Sequence, residues 1–269
     1  MQRHGSEGAG SPSAPADAAP GRPALFAVVG ANCAVFALWQ LARRGGAPSW
    51  LARALDRHAL CSRHHLRSWR IHTALTSSVS HYGAVHFAIN TYGLAMFGGI
   101  AAAALSPREL GVLLASSGAG ASLCHVLAHP AHPVLGASGM LMGVITADAL
   151  LEPEHRFYML FPVPGLTLSM LQVADVAFAV NVAGFFLLRP WLPGVAWAAH
   201  LGGMAAGLCF ACGGWLRGDA RFPNLLRLHE EAYEVDWSRT AWSIQTTVDR
   251  ACVRLYQLQR KWGGGRDYE

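Results

Sequence analysis

Ser138 stands between two glycines, in Gly136-Ala137-Ser138-Gly139, where a polar loop gives way to an apolar run. A serine hydroxyl is a weak nucleophile until a base takes its proton, and histidine is the side chain best suited to that near neutral pH. His200 opens another apolar run as His200-x-x-Gly203-x-x-x-Gly207, and His86 with Asn90 lies near the start of a third. Hydroxyl, imidazole and N–H donors together offer acyl transfer through a stabilised oxyanion. A single hydroxyl in an apolar helix, by contrast, ordinarily bonds back to a carbonyl one turn earlier and does nothing more. The chemistry therefore depends on what brings these residues together.

The medium comes first. Of 269 residues, 52% are hydrophobic and only 14% charged, against about a quarter charged in an ordinary soluble domain. Several apolar runs approach the roughly 17–25 residues that cross a bilayer as helix. The chain is expected to be an all-α, polytopic membrane protein. Its formal charge of +5 sits in loops beside apolar runs and in the tail, where basic residues meet lipid head groups, so nucleic acid is not an expected partner. The six cysteines are scattered, and Cys209-x-x-Cys212 lies in an apolar run without the strand a redox motif needs.

Residues 1–22, rich in Gly, Ala, Ser and Pro, read as a disordered segment that cannot span a membrane and shows no legible targeting signal. Six apolar helices are expected over Pro23–Ala42, Tyr82–Leu105, Arg108–Ala128, Leu135–Leu151, Leu166–Leu188 and Gly194–Trp215, a core of residues 23–215. Between the first two lies a long basic stretch with Arg53, Arg57, Arg63, Arg67 and Arg70 and the anchors Trp50, Leu55 and Trp69, suited to the head-group layer. His58-x-x-Cys61-x-x-His64-His65 lacks the second pair a zinc site needs. Residues 216–269 are polar, with an amphipathic helix marked by Ile244, Val248, Ala251, Leu255, Leu258 and Trp262.

Six spans place both termini on one side, so the second, fourth and sixth helices all begin on the far side. Ser138 and His86, each about one turn in, and His200, about one to two turns in, then fall at a similar shallow depth. Gly139 with Gly143, and Gly203 with Gly207, are spaced four apart and let two helix backbones approach in lipid. That brings Ser138 towards His200. His86 and Asn90 share a helix face and, with the Ser138 N–H, are candidates for the oxyanion donors. No Asp or Glu lies at that depth; Asp148 is ten residues deeper. The expectation is a Ser/His dyad without a third member.

These motifs, in this order, resemble those of the rhomboid intramembrane serine proteases: GxSG at Gly136-Ala137-Ser138-Gly139, His200-x-x-Gly203-x-x-x-Gly207, and His86-x-x-x-Asn90 preceded by His81. The resemblance covers residues 23–215. It implies a six-helix bundle with a membrane-embedded loop after helix 1, Ser138 as nucleophile, His200 as base, and His86, Asn90 and Gly136 around the oxyanion and substrate. His81, Gly139, Gly203 and Gly207 support them. It implies hydrolysis of peptide bonds in transmembrane protein substrates, with no metal or cofactor. Ala31–Trp39, Ser80-His81-Tyr82 and Ala198–Gly203 are most similar to the mitochondrial presenilin-associated group, which implies the mitochondrial inner membrane. Trp69-Arg70 resembles a pair found in many rhomboids but stands further from His81 and is given no role. The extra helix that group carries ahead of its core is not supplied by residues 1–22.

The rival expectation is a catalytically inactive rhomboid-like protein that binds transmembrane clients for import or quality control; the intact Ser138/His200 pair argues for the enzyme. A transporter would keep its polar groups at mid-membrane on broken helices, and these lie shallow. His229-Glu230-Glu231 begins like a zinc-protease motif, but Tyr233 replaces its second histidine.

Overall fold

The computed structural model describes residues 19–43, 48–158, 167–188, 190–192 and 194–222. The expected tail helix and His229-Glu230-Glu231 lie outside these residues, as do residues 1–18. The chain belongs to the helical class. Its order is α1 (Arg22–Arg43), α2 (Ser49–His58), α3 (Arg63–Arg67), α4 (Thr73–Thr76, continued by a 3-10 turn), α5 (Ala84–Ala104), α6 (Pro107–Ala128), α7 (Ser138–Leu151), β1 (Arg156–Tyr158), β2 (Thr167–Ser169), α8 (Met170–Ala183, continued by a π turn to Leu188) and α9 (Trp197–Leu216). Among the described residues, α1, α5, α6, α8 with its π turn and α9 are long and apolar enough to cross a membrane.

The helix boundaries follow local chemistry. Ser106 accepts a hydrogen bond from the Glu109 N–H while the Glu109 side chain bonds the Ser106 N–H, and Pro107 follows at the first helical position, where its missing N–H costs nothing. Ser169 and Gln172 repeat that reciprocal cap, so α8 begins at Met170, four residues later than expected. The residues just before it belong to β2, which pairs antiparallel with β1, Phe157 opposite Leu168. This two-stranded sheet, with an isolated β-bridge between Cys61 and Val134, departs from an all-helical reading.

The fourth apolar helix differs most. It starts at Ser138 rather than Leu135 and has only 14 residues. It is surrounded by α5, α6, α8 and α9, and nine of its residues are buried. Leu94, Leu110, Leu113, Val144 and Met170 pack into the same fully buried core. Non-helical backbone at membrane depth is tolerated where protein covers it. The last residues of the loop ahead of α7 are covered in this way, Val134 and Ala137 being buried and Leu135 and Gly136 half-buried, which lets the helix be short; Pro130 to Pro133 are exposed.

Small residues set the spacing around α7. Methyl groups added at Gly203 and Gly207 would collide with the carbonyl oxygens of Gly139 and Gly143, so the α7 and α9 backbones are in direct contact. Without a hydrophobic force between helices in lipid, such packing is what holds them together.

Candidate active site

The loop that presents Ser138 is held from three directions. Cys61 and Val134 exchange backbone hydrogen bonds as an isolated antiparallel bridge, and the Gly136 N–H bonds the Ser77 carbonyl at 2.9 Å. The long segment after α1 therefore reaches the loop ahead of Ser138 directly. The Ala137 N–H donates to His81 Nε2 at 3.2 Å. His81 is fully buried, and burial, aided by His86, pushes its pKa down to about 4. It therefore stays neutral, with Nε2 free to accept. The turn carrying His81 is tied to α1, where Trp39 Nε1 donates to Ser80 Oγ at 2.7 Å and the Trp39 ring meets Tyr82 edge-on.

Gly136 sits at φ +123°, in a region side chains avoid. A Cβ there would also lie 2.7 Å from His86 Cε1. The glycine thus lets the backbone turn and lets the His86 ring rest against it. His86 packs edge-on against His81, with ring centroids 5.0 Å apart. Asn90 is buried, and its amide donates to the carbonyl of His86 at 2.9 Å. His86 and Asn90 share a face of α5 as expected, but this hydrogen bond turns the Asn90 amide back onto its own helix.

Ser138 is the first residue of α7, His86 the third of α5 and His200 the fourth of α9. All three lie within the first turn of their helices. The expectation that Ser138 lies about one turn into its helix is corrected, because Gly136 and the bond from Ala137 to His81 delay the helix. Ser138 and His200 are both half-buried and stand at the ends of two helices in contact. Among the described residues, no hydrogen bond joins the Ser138 hydroxyl to His200.

Asn181 of α8 is the residue the sequence reading missed. His200 Nδ1 lies 2.7 Å from Asn181 Oδ1. The Asn181 Nδ2 is itself committed, donating to the Ala177 carbonyl at 2.8 Å and approaching the Met142 sulfur at 3.7 Å. Asn181 therefore offers its oxygen, and His200 must carry its proton on Nδ1, leaving Nε2 as the basic nitrogen. The signal available in the sequence was the one Asn of the fifth run, which also carries Thr167, Ser169, Gln172 and Asp175. Trp197 stands edge-on to His200 at 6.2 Å, in space that Gly184 leaves open.

Two cavities meet this cluster. One of about 750 Å³ is lined by Tyr82, His86, Leu135, Val195 and Trp197 together with His125, His129 and His132. The other, about 330 Å³ and almost wholly apolar, lies between Met142, Val176, Val180, Asn181, Trp197 and His200.

A family model, the Rhomboid domain, matches residues 67–217. The chain is 33% identical over 198 residues to Rhomboid protein 1, mitochondrial, of Saccharomyces cerevisiae, covering 71% of this chain and 52% of that protein. It is 28% identical over 202 residues to the Presenilin-associated rhomboid-like protein, mitochondrial, of Mus musculus, covering 71% and 48%. It is 31% identical over 153 residues to Rhomboid-like protein 16, chloroplastic, of Arabidopsis thaliana, covering 50% and 46%. The chain spans about half the length of these relatives.

Proposed function

This chain belongs to the rhomboid family, and on that premise we propose that it is an intramembrane serine endopeptidase that cleaves transmembrane segments of other proteins in the mitochondrial inner membrane. The observation that carries the reading is the Asn181–His200 hydrogen bond, which prepares Nε2 as a base on the helix that touches the Ser138 turn. The compartment is inferred from the yeast and mouse relatives, whose names place them in mitochondria.

In this mechanism, Ser138 Oγ attacks the carbonyl carbon of the scissile peptide as its proton passes to His200 Nε2. The oxyanion meets the Ser138 N–H, at the open start of α7, together with His86 and the second N–H of the Asn90 amide, whose first is bonded to the His86 carbonyl. Loss of one such donor costs roughly 10²–10³ in rate. Collapse breaks the C–N bond, and the leaving amine takes the proton from His200. Water, deprotonated by the same nitrogen, then releases the acyl group from Ser138. A catalytic hydrogen bond that is open in the free enzyme can tighten in the substrate complex.

A second reading, compatible with the lack of a Ser138–His200 hydrogen bond among the described residues, is a client-binding rhomboid without turnover. The test is cleavage of a transmembrane reporter by purified wild-type protein and by Ser138→Ala. Product from the wild type alone supports the enzyme; equal product from both removes Ser138 as nucleophile. No product from either, with reporter captured by both, selects the binder.

A further inference from the structure

Apart from the catalytic cluster, the strongest concentration of charge is on the segment between α1 and α5. A cavity of about 570 Å³ there is lined by Arg53, Arg57, Arg70, His58, His64, His65, Trp50 and Asp56. Among the described residues, none of the three arginines is ion-paired with a carboxylate. Asp56, the acidic group in the lining, acts instead on Tyr82: burial first and then the Asp56 carboxylate push the Tyr82 hydroxyl up. Burial holds His65 below the usual histidine range; a bond to the Leu60 carbonyl opposes this, while Arg70, His64 and His58 add to it. Like charges are thus crowded around a space with too few anions.

The apolar side chains beside that space point to its occupant. Trp50, in the lining, is exposed, as is Ile71. Trp69 is 88% exposed and is held at φ +61°, a backbone conformation that costs a bulky residue on the order of 1–3 kcal/mol. Indoles settle at the boundary of water and hydrocarbon, on the membrane face from which Ser138 is reached. A free phosphate would have no use for them, whereas a phospholipid supplies an anionic head and an apolar chain together.

We propose that this cavity is a binding site for the phosphate of an anionic phospholipid, with Arg53, Arg57 and Arg70 as its ligands and Trp50 and Trp69 resting in the adjoining acyl boundary.

The test uses the full chain in detergent and titrates short-chain phosphatidylglycerol or phosphatidylcholine by native mass spectrometry. Three arginines against Asp56 leave two net positive charges, for which a preference for phosphatidylglycerol on the order of thirtyfold is expected. Arg53→Gln, Arg57→Gln and Arg70→Gln combined should abolish that preference, and Arg108→Gln on the opposite membrane face should keep it. Equal binding of both lipids by the wild type would overturn the proposal without recourse to any variant, and so would a preference that survives the triple change. Displacement of phosphatidylglycerol by millimolar inorganic phosphate would assign the cavity to free phosphate and overturn the lipid assignment.

Discussion

Asn181 Oδ1 and His200 Nδ1 lie 2.7 Å apart across the α8–α9 contact, and the Asn181 amide nitrogen is already bonded to the Ala177 carbonyl. The amide therefore cannot flip to donate without breaking that second bond. If it fixes the imidazole for catalysis, Asn181→Ala should lower kcat for a transmembrane reporter by about ten- to a hundredfold, the scale of a misplaced catalytic group. KM should change little. Asn181→Asp, which keeps an acceptor, should recover part of the loss. Single-turnover cleavage measures both; full activity in Asn181→Ala would remove its role.

The α7–α9 contact makes a steric prediction. Gly203→Val places carbon where the Gly139 carbonyl stands and should cost about 1–3 kcal/mol or more, seen as a lower Tm in detergent. Gly99→Ala on α5 meets nothing within 4 Å and should be neutral or stabilising by up to about 1 kcal/mol. Matching losses at the two positions would contradict the packing described.

His81 gives the fold a pH dependence. Its pKa is near 4 when folded, against 6.5 ordinarily. The unfolded chain therefore takes up the proton first, and stability is complete above about pH 6.5. It falls as the pH drops towards 4, by up to about 3 kcal/mol. Thermal unfolding from pH 7.5 to 4.5 should show the decline, and His81→Gln should flatten it.

At the opposite face, Arg221 bonds Glu109, Asp219 and the Ala104 carbonyl, joining the end of α9 to the α5–α6 turn. Asp219 is held below the usual carboxylate range by its bond to Arg221. These groups are partly exposed, so Arg221→Gln should cost no more than about 1 kcal/mol. The difference should shrink in 1 M salt if charge carries it, as denaturation at low and high salt would reveal.

Apolar runs made most of the helices legible, because a lipid-facing helix cannot hide its composition. The motif histidines and glycines were legible through spacing and helix parity. The start of α7 was not, since it depends on a distant imidazole accepting the Ala137 N–H and on a backbone bond to Ser77. Nor was the β1–β2 hairpin, although Ser169-x-x-Gln172 advertised the true start of α8. Asn181 stayed hidden because an amide in an apolar run carries no mark of which neighbour it will meet. The latch between Cys61 and Val134 joins parts of the chain that no local pattern relates.

The brevity of α7 has a consequence for hydration. Fourteen residues rise only about 21 Å, roughly 9 Å short of a typical hydrocarbon core. A helix facing lipid would meet that mismatch by thinning the bilayer around it. Ringed by other helices, α7 is instead entered through a loop whose Pro133, Val134 and Leu135 border a cavity lined by His86, His125, His129 and His132, imidazoles rather than acyl chains. Solvent filling that cavity would stand three residues along the chain from Ser138.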